Sequence, residues 1–239
     1  MNASFAQAMP KPGNIAFISQ SGAHCTSILD LARGRNIGFS KFISLGNKAD
    51  VNEIQLLQYL ADDSATDVLL MYLEDISNGS RFIEVARDIT SKCKKPMLAI
   101  KSGRSKEGAI AVFSHTGSLA NSDTAYDAII FQGGIQPVEG VNEMFHHATA
   151  FANMSLPKSN QIAIVTNAGG TGIMATDVSI RYGLKLAAFN EDTTNKLVNR
   201  LSATASIHNP VDIMGDADYH KYEAAIRAVL EDDNVRGGV

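Results

Sequence analysis

A short sequence pattern occurs twice in this chain, 147 residues apart. Ile-Ala-Phe-Ile-Ser-Gln-Ser-Gly at residues 15–22 is echoed by Ile-Ala-Ile-Val-Thr-Asn-Ala-Gly at residues 162–169. In both copies an apolar run typical of a strand leads into a turn of small residues and then a helix. A second echo joins Leu-Ala-Asp-Asp at 60–63 with Leu-Glu-Asp-Asp at 230–233. The repeats predict two related α/β domains.

Strand and helix patterns alternate along the first copy. Apolar runs typical of strands lie at residues 15–18, 39–45, 68–73 and 96–100, and helical patterns lie at 27–32, 52–60 and 81–91. The run at 68–73 is continuous and has the length of a strand that is buried on both faces. This alternation predicts a parallel sheet covered by helices on both sides.

Four segments are predicted along the chain. Residues 1–12 are a leader or linker, residues 13–154 are the first domain, residues 155–160 are a linker, and residues 161–239 are the second domain. By the second echo, Val239 falls where a central strand of the first domain is starting. We therefore expect the second domain to be truncated and the chain to be a fragment of a longer protein, because an unbuilt central strand leaves backbone groups unpaired.

Charge and composition exclude several classes of protein. Lys and Arg number 21 against 25 Asp and Glu, and basic residues form no long run, so we expect no nucleic-acid partner. No stretch approaches the roughly 18 apolar residues that span a bilayer, so no membrane partner is expected. The two cysteines, Cys25 and Cys93, match no metal-ligand spacing, so a reducing cytoplasm and no metal site are expected.

Both small-residue turns are candidate anion sites. The turns at residues 19–23 and 166–172 precede helices, and backbone N–H groups at a helix start favour phosphate or carboxylate. Close packing of helix on strand also requires small residues, so one such turn alone does not decide between the two explanations. Neither turn carries the Gly-Lys-Ser/Thr ending of a Walker A loop or a full dinucleotide fingerprint, so neither is predicted to bind a nucleotide.

His115 is the candidate for phosphoryl transfer. It lies among hydroxyl side chains and a glycine in Phe-Ser-His-Thr-Gly-Ser at 113–118. Glu74 closes the run at 68–73, where a carboxylate could fix the tautomer of an imidazole. The alternatives are a structural histidine and a solvated strand end. A Ser-His-Asp hydrolase using Ser21 or Ser114 is disfavoured because the Gly-x-Ser-x-Gly elbow is absent.

Taken together, the motifs resemble the NDP-forming acyl-CoA synthetases, relatives of succinyl-CoA synthetase. In order they are Ser-Gln-Ser-Gly-Ala at 19–23, Ser-Leu-Gly-Asn at 44–47, Leu-Glu-Asp at 73–75, Lys-Ser-Gly-Arg at 101–104, Ser-His-Thr-Gly-Ser at 114–118, Thr-Asn-Ala-Gly-Gly at 166–170 and Asn-Pro-Val-Asp at 209–212. The resemblance implies two flavodoxin-like, succinyl-CoA synthetase-like three-layer domains.

The resemblance also implies a reaction and a site. Such enzymes interconvert acyl-CoA, phosphate and ADP with free acid, CoA and ATP, through an acyl phosphate and a phosphohistidine. The phosphohistidine falls on His115 and the glutamate that orients it on Glu74. The two phosphate-binding helix starts, expected to face a common cleft, fall on Gln20, Ser21, Gly22 and Ala23 and on Asn167, Ala168, Gly169 and Gly170.

Partners and cofactors follow from the same resemblance. The CoA-binding and ATP-grasp domains lie outside these residues, in the same or a partner chain, so this fragment is expected to bind no cofactor and to be inactive alone. The intact protein would use CoA, ATP or ADP, Mg²⁺ and phosphate, act on an acyl phosphate or CoA thioester, and could form a homo-oligomer. The alternative is the acyl-CoA-sensing region of a protein lysine acetyltransferase fusion, which the retained His115 disfavours.

Overall fold

The computed structural model describes residues 10–103, 105, 107–108 and 123–239. The chain divides into two compact units, one ending at Ser155 and the other spanning Leu156–Val239. Among the described residues, none of the helices is both long and apolar enough to cross a bilayer.

The first unit is built on a parallel five-stranded sheet. The strands are β1 (Pro12–Ser19), β2 (Phe39–Ser44), β3 (Val68–Leu73), β4 (Met97–Lys101) and β5 (Gln136–Pro137), in the order β2-β1-β3-β4-β5. This is the order of flavodoxin-like folds, in which the chain reverses direction across the sheet between β1 and β3. In the register of these two strands, Phe17 lies opposite Leu70 and Ser19 opposite Tyr72.

Helices cover both faces of this sheet. They are α1 (Gly22–Gly34), α2 (Glu53–Ala61), α3 (Gly79–Ser91), α4 (Asp123–Gly133) and α5 (Val141–Asn153). Alternate residues of β3 enter two separate cores: Leu69 and Met71 pack with α2, α3 and α4, while Val68 and Leu70 pack with α1 and α5. A strand with a core on each side must be apolar throughout, which explains its uninterrupted sequence.

The second unit carries shorter parallel strands. They are β6 (Gln161–Ala163), β7 (Val165–Thr166), β8 (Lys185–Leu186), β9 (Val211–Asp212) and β10 (Gly237–Gly238), and the helices are α6 (Gly169–Arg181), α7 (Glu191–Arg200) and α8 (Tyr219–Leu230). β6 pairs with β8 and β10, and β7 pairs with β9. Leu197 of α7 and Ala225 and Val229 of α8 pack with Ala163 and Val211 of the strands. The predicted fold of parallel α/β layers is confirmed.

Local sequence explains where the helices begin. The side chain of Asn52 accepts hydrogen bonds from the backbone N–H groups of Ile54 and Gln55, and the Gln55 side-chain oxygen accepts one from the backbone N–H of Asn52, which completes a capping box at the start of α2. Ser21 and Asn78 cap α1 and α3 in the simpler way, each through one side-chain oxygen. The small-residue turn after β1 is thus a helix start, as its composition predicts.

Candidate active site

The turn between β1 and α1 leaves two backbone donors open. Ser19 Oγ accepts a hydrogen bond from Ser21 N at 3.1 Å, and Ser21 Oγ accepts one from His24 N at 3.3 Å. Gly22 and Ala23 are exposed, and their N–H groups make no hydrogen bond to a described residue. Free N–H groups at the positive end of a helix can bind a phosphate or carboxylate.

Gln20 has a different set of contacts. Its backbone N–H donates to Tyr72 O at 3.1 Å, and its side-chain oxygen accepts from the N–H groups of Glu74 and Asp75 at 2.5 and 3.2 Å. Its side-chain nitrogen donates to Asp75 Oδ1 at 2.5 Å. Gln20 therefore joins the carboxyl ends of β1 and β3, the point where ligand sites gather in doubly wound sheets. Phosphate binding by Gln20 remains a prediction.

Glu74 lies directly after β3 and is half-buried. Its backbone N–H is held by Gln20, whereas its carboxylate makes no hydrogen bond or ion pair to any described residue. A carboxylate on a fixed backbone, with both oxygens available, is suited to accepting a hydrogen bond from an imidazole. His115 and Ser114 lie outside the described residues.

The start of α6 repeats the geometry of the α1 turn. Thr166 Oγ1 accepts from Ala168 N at 3.0 Å, as Ser19 does from Ser21 in the first copy. Ala168 supplies no side-chain cap, and Asn167, Gly169 and Gly170 are all exposed. The N–H groups of Gly169 and Gly170 make no hydrogen bond within the part of the chain that the structure describes, so they are open as well.

A carboxylate approaches this second helix start. A Cβ atom added to Gly169 would lie 3.0 Å from Asp212 Oδ2, and Asp212 Oδ1 accepts a hydrogen bond from Met214 N at 2.9 Å. Any other residue at position 169 would place a Cβ atom against the Asp212 carboxylate, so glycine fits this position. The α6 start therefore carries an acidic neighbour, which interacts favourably with the helix dipole and repels a second anion.

A buried ion cluster adjoins Gln20 and was missed by the sequence reasoning. Lys48 Nζ lies 3.1 Å from Glu53 Oε2 and 2.7 Å from Asp75 Oδ1, and Glu53 Oε1 accepts from Ser77 N at 2.7 Å. The side chain of Lys48 is 7% exposed and that of Glu53 is 0% exposed. The available signal was an acidic residue in the first turn of an otherwise uncharged helix, following a turn that contains lysine.

His24 packs at the same end of the first sheet. Its ring centroid is 4.5 Å from that of Tyr72, and its buried Nε2 atom has no hydrogen-bond partner among the described residues. Burial lowers the pKa of His24 below its ordinary value. Of the other histidines that the structure describes, His208 and His220 are exposed and His146 and His147 lie in α5.

Comparison with known proteins places these features in a family. A family model described as "Succinyl-CoA ligase like flavodoxin domain" matches residues 12–151, and one described as "Ligase-CoA domain" matches residues 162–239. The chain belongs to the NDP-forming acyl-CoA synthetase family. The resemblance seen in the sequence motifs is therefore confirmed.

Relatives within the acyl-CoA synthetase family are similar over nearly all of this chain. It is 43% identical to a 4-hydroxybutyrate–CoA ligase (ADP-forming) of Nitrosopumilus maritimus, over 98% of this chain and 34% of the relative. It is also 43% identical to the alpha subunit of an acetate–CoA ligase (ADP-forming) II of Pyrococcus furiosus, over 98% of this chain and 50% of the relative.

A solved synthetase has the same fold. The acetyl-coenzyme A synthetase 1 of Ca. Korarchaeum cryptofilum, in complex with phosphate and ADP, superimposes with a TM-score of 0.92 at 34% identity, over 100% of this chain and 51% of the other. This chain thus spans between a third and a half of the length of these relatives.

Proposed function

We propose that the intact protein is an acyl-CoA synthetase that interconverts acyl-CoA, phosphate and ADP with free acid, CoA and ATP. Family membership supports this, and the similar proteins are named as ADP-forming CoA ligases. These names favour the synthetase over an acyl-CoA-sensing acetyltransferase region. CoA and the nucleotide would be bound by CoA-binding and ATP-grasp domains, in the same or a partner chain, and the protein would work in the cytoplasm.

In this proposal His115 carries the phosphoryl group and Glu74 orients its ring. A glutamate that accepts a hydrogen bond from one imidazole nitrogen leaves the other nitrogen free to attack phosphorus, and stabilises the positive charge that develops on the ring. The observation that carries the proposal is the position of Glu74. Its backbone is fixed at the end of β3, and its carboxylate has no partner among the described residues.

The helix starts would bind the phosphoryl oxygens. At α1 the open donors are the N–H groups of Gly22 and Ala23, with Ser21 as the cap, and at α6 they are those of Gly169 and Gly170 beside Asn167 and Ala168. A phosphoryl group carries about two negative charges, and each helix start offers roughly half a positive charge. Binding at the α1 start lowers the energy of that anion, and at the α6 start the gain is smaller because the Asp212 carboxylate repels it.

Labelling of the full-length protein with γ-³²P-ATP and Mg²⁺ tests the two side chains. We expect one acid-labile, base-stable label, absent from His115→Ala and present in the matched control His146→Ala. Glu74→Gln should slow labelling by about 10- to 100-fold, the range for residues that orient a functional histidine. A label that persists in His115→Ala would show that His115 is not the phosphorylated residue. An unchanged rate in Glu74→Gln would show that Glu74 does not orient the histidine and is only a solvated residue at a strand end.

A separate assay tests the division of labour between domains. These 239 residues alone, given acetyl-CoA, phosphate and ADP, should form no ATP, because the nucleotide and most CoA contacts are assigned to other domains. Sustained ATP formation by the isolated chain would contradict that assignment. The full-length protein provides the positive control.

A further inference from the structure

The buried cluster around Lys48 holds the segment that carries Glu74. We call residues 74–77 the 74–77 segment; it follows β3 and leads to α3. Lys48 comes from the loop before α2, Glu53 from the first turn of α2, and Gln20 from the turn before α1. Three separate parts of the fold therefore meet on four consecutive residues.

The contacts to this segment are made mostly through its backbone. Gln20 accepts from the N–H groups of Glu74 and Asp75, Glu53 accepts from Ser77 N, and Lys48 donates to Asp75 O at 3.2 Å. Side chains from outside thus fix the path of the 74–77 segment at three of its four residues. The carboxylate of Glu74 is left out of all these bonds.

Lys48 has an unfavourable backbone conformation and a buried charge. Lys48 has φ 57°, a left-handed conformation that is unfavourable for residues with a side chain. Its ammonium group reaches three oxygens, of Glu53, the Asp75 side chain and the Asp75 backbone. Removing one partner of a buried ion pair leaves the other charge uncompensated. Without Lys48, the two carboxylates would repel each other and the segment would shift.

We infer that Lys48 is a positioning residue for phosphoryl transfer: it fixes the 74–77 segment, through Glu53 and Asp75, so that the Glu74 carboxylate is presented correctly. This inference rests on the proposed function of Glu74. The distinguishing consequence is that Lys48 acts through Glu74. Replacement of Lys48 should therefore slow labelling only when residue 74 carries a carboxylate.

A double-mutant cycle on the full-length protein tests this dependence. The variants are Lys48→Met, Glu74→Gln and the pair together, and the rate of labelling by γ-³²P-ATP with Mg²⁺ is measured well below the unfolding temperature. We expect Lys48→Met to slow labelling by about 10-fold or more in the wild-type background and by less than about 2-fold in the Glu74→Gln background. A residue that only stabilises the fold would not show this dependence.

A second ion pair in the same unit provides the matched control. Lys41 Nζ lies 2.9 Å from Asp63 Oδ2, away from the 74–77 segment, and Lys41→Met should leave the labelling rate unchanged. If Lys48→Met does not fold by circular dichroism, Asp75→Asn replaces it in the cycle, because it keeps the shape and removes one charge of the cluster.

The outcomes separate the inference from the proposed function. If Glu74→Gln labels at the wild-type rate, the proposed role of Glu74 is wrong and Lys48 has nothing to position. If Glu74→Gln is slow but Lys48→Met labels at the wild-type rate, or lowers the rate by the same factor in both backgrounds, the role of Glu74 stands and the inference about Lys48 is overturned.

Discussion

The two helices that follow the repeated turn, α1 and α6, bury opposite kinds of side chain. In α1 the buried residues are Cys25, Ile28, Leu29 and Ala32. At the corresponding positions, 147 residues later, α6 has Gly172, Ala175, Thr176 and Ser179, and it exposes Ile173, Met174, Val178 and Ile180. The same local turn therefore begins two helices that are held in different ways.

Close approach replaces apolar burial in α6. A Cβ atom added to Gly172 would lie 3.0 Å from Thr166 Cγ2 and 3.5 Å from Pro210 Cβ, so the helix backbone packs tightly on its neighbours. The comparison teaches that the repeated turn sets where a helix begins, while the residues facing the sheet set how the helix is held.

Truncation of an inward side chain should have the largest effect, and only in α1. Leu29 is 2% exposed within an apolar core, so Leu29→Ala should lower the free energy of unfolding by about 2–5 kcal/mol. Thr176→Ala, the matched change in α6, should lower it by less than about 1 kcal/mol because it removes few packed atoms. Urea unfolding followed by circular dichroism measures both, and equal losses would break the comparison.

Enlargement of a small residue should have the next largest effect, and only in α6. Gly172→Ala places a methyl group against Thr166 and Pro210, so we expect a loss of about 1–3 kcal/mol. The control on the same helix is Gly170→Ala, which has nothing within 4 Å of the added atom and should be neutral or slightly stabilising. A neutral Gly172→Ala would show that close approach does not hold α6.

Exchange of the caps should have a smaller effect of opposite sign in the two copies. Ser21→Ala removes the side-chain acceptor for His24 N and should cost about 1 kcal/mol of unfolding free energy. Ala168→Ser supplies a cap that α6 lacks and should gain up to about 1 kcal/mol. Thermal unfolding of both variants against wild type checks the signs, and a loss in Ala168→Ser would contradict the equivalence of the two turns.

Titration of His24 should give the smallest effect, and the second copy has no counterpart because Thr171 occupies the equivalent position. Burial lowers the pKa of His24 below 6.5 in the folded protein. Between the folded pKa and 6.5 the unfolded chain binds more protons, so stability rises with pH in that window and falls as the solution is acidified below about pH 6.5.

Unfolding of wild type and His24→Phe at about pH 7.5 and about pH 5.5 measures this contribution. Phenylalanine keeps the ring contact with Tyr72 and cannot titrate, so the variant should lose less stability on acidification. An identical pH dependence in the two proteins would show that protonation of His24 does not contribute to the loss of stability in acid.

Much of the fold followed from local sequence. The strand Val68–Leu73 has the predicted bounds and the helix Glu53–Ala61 lies one residue from the predicted 52–60 at each end, because a continuous apolar run and a 3.6-residue period are local signals. The helix predicted from residue 27 begins earlier, at Gly22, because small residues of a turn have weak helix propensity and the Ser21 cap decides the start.

By itself, the sequence determined the repeated turns, the alternation of strand and helix, and the place of Glu74 at the end of a buried strand, since each depends on neighbours along the chain. Only the tertiary structure brought Lys48, Glu53 and Asp75 into one buried cluster. It also placed the Gln20 side chain where it accepts hydrogen bonds from the backbone of residues 74 and 75, and it left the apolar side chains of α6 exposed. The physical reason is that charge pairing and burial act between residues that are far apart in the chain, and their free energies depend on distances that only the folded backbone sets.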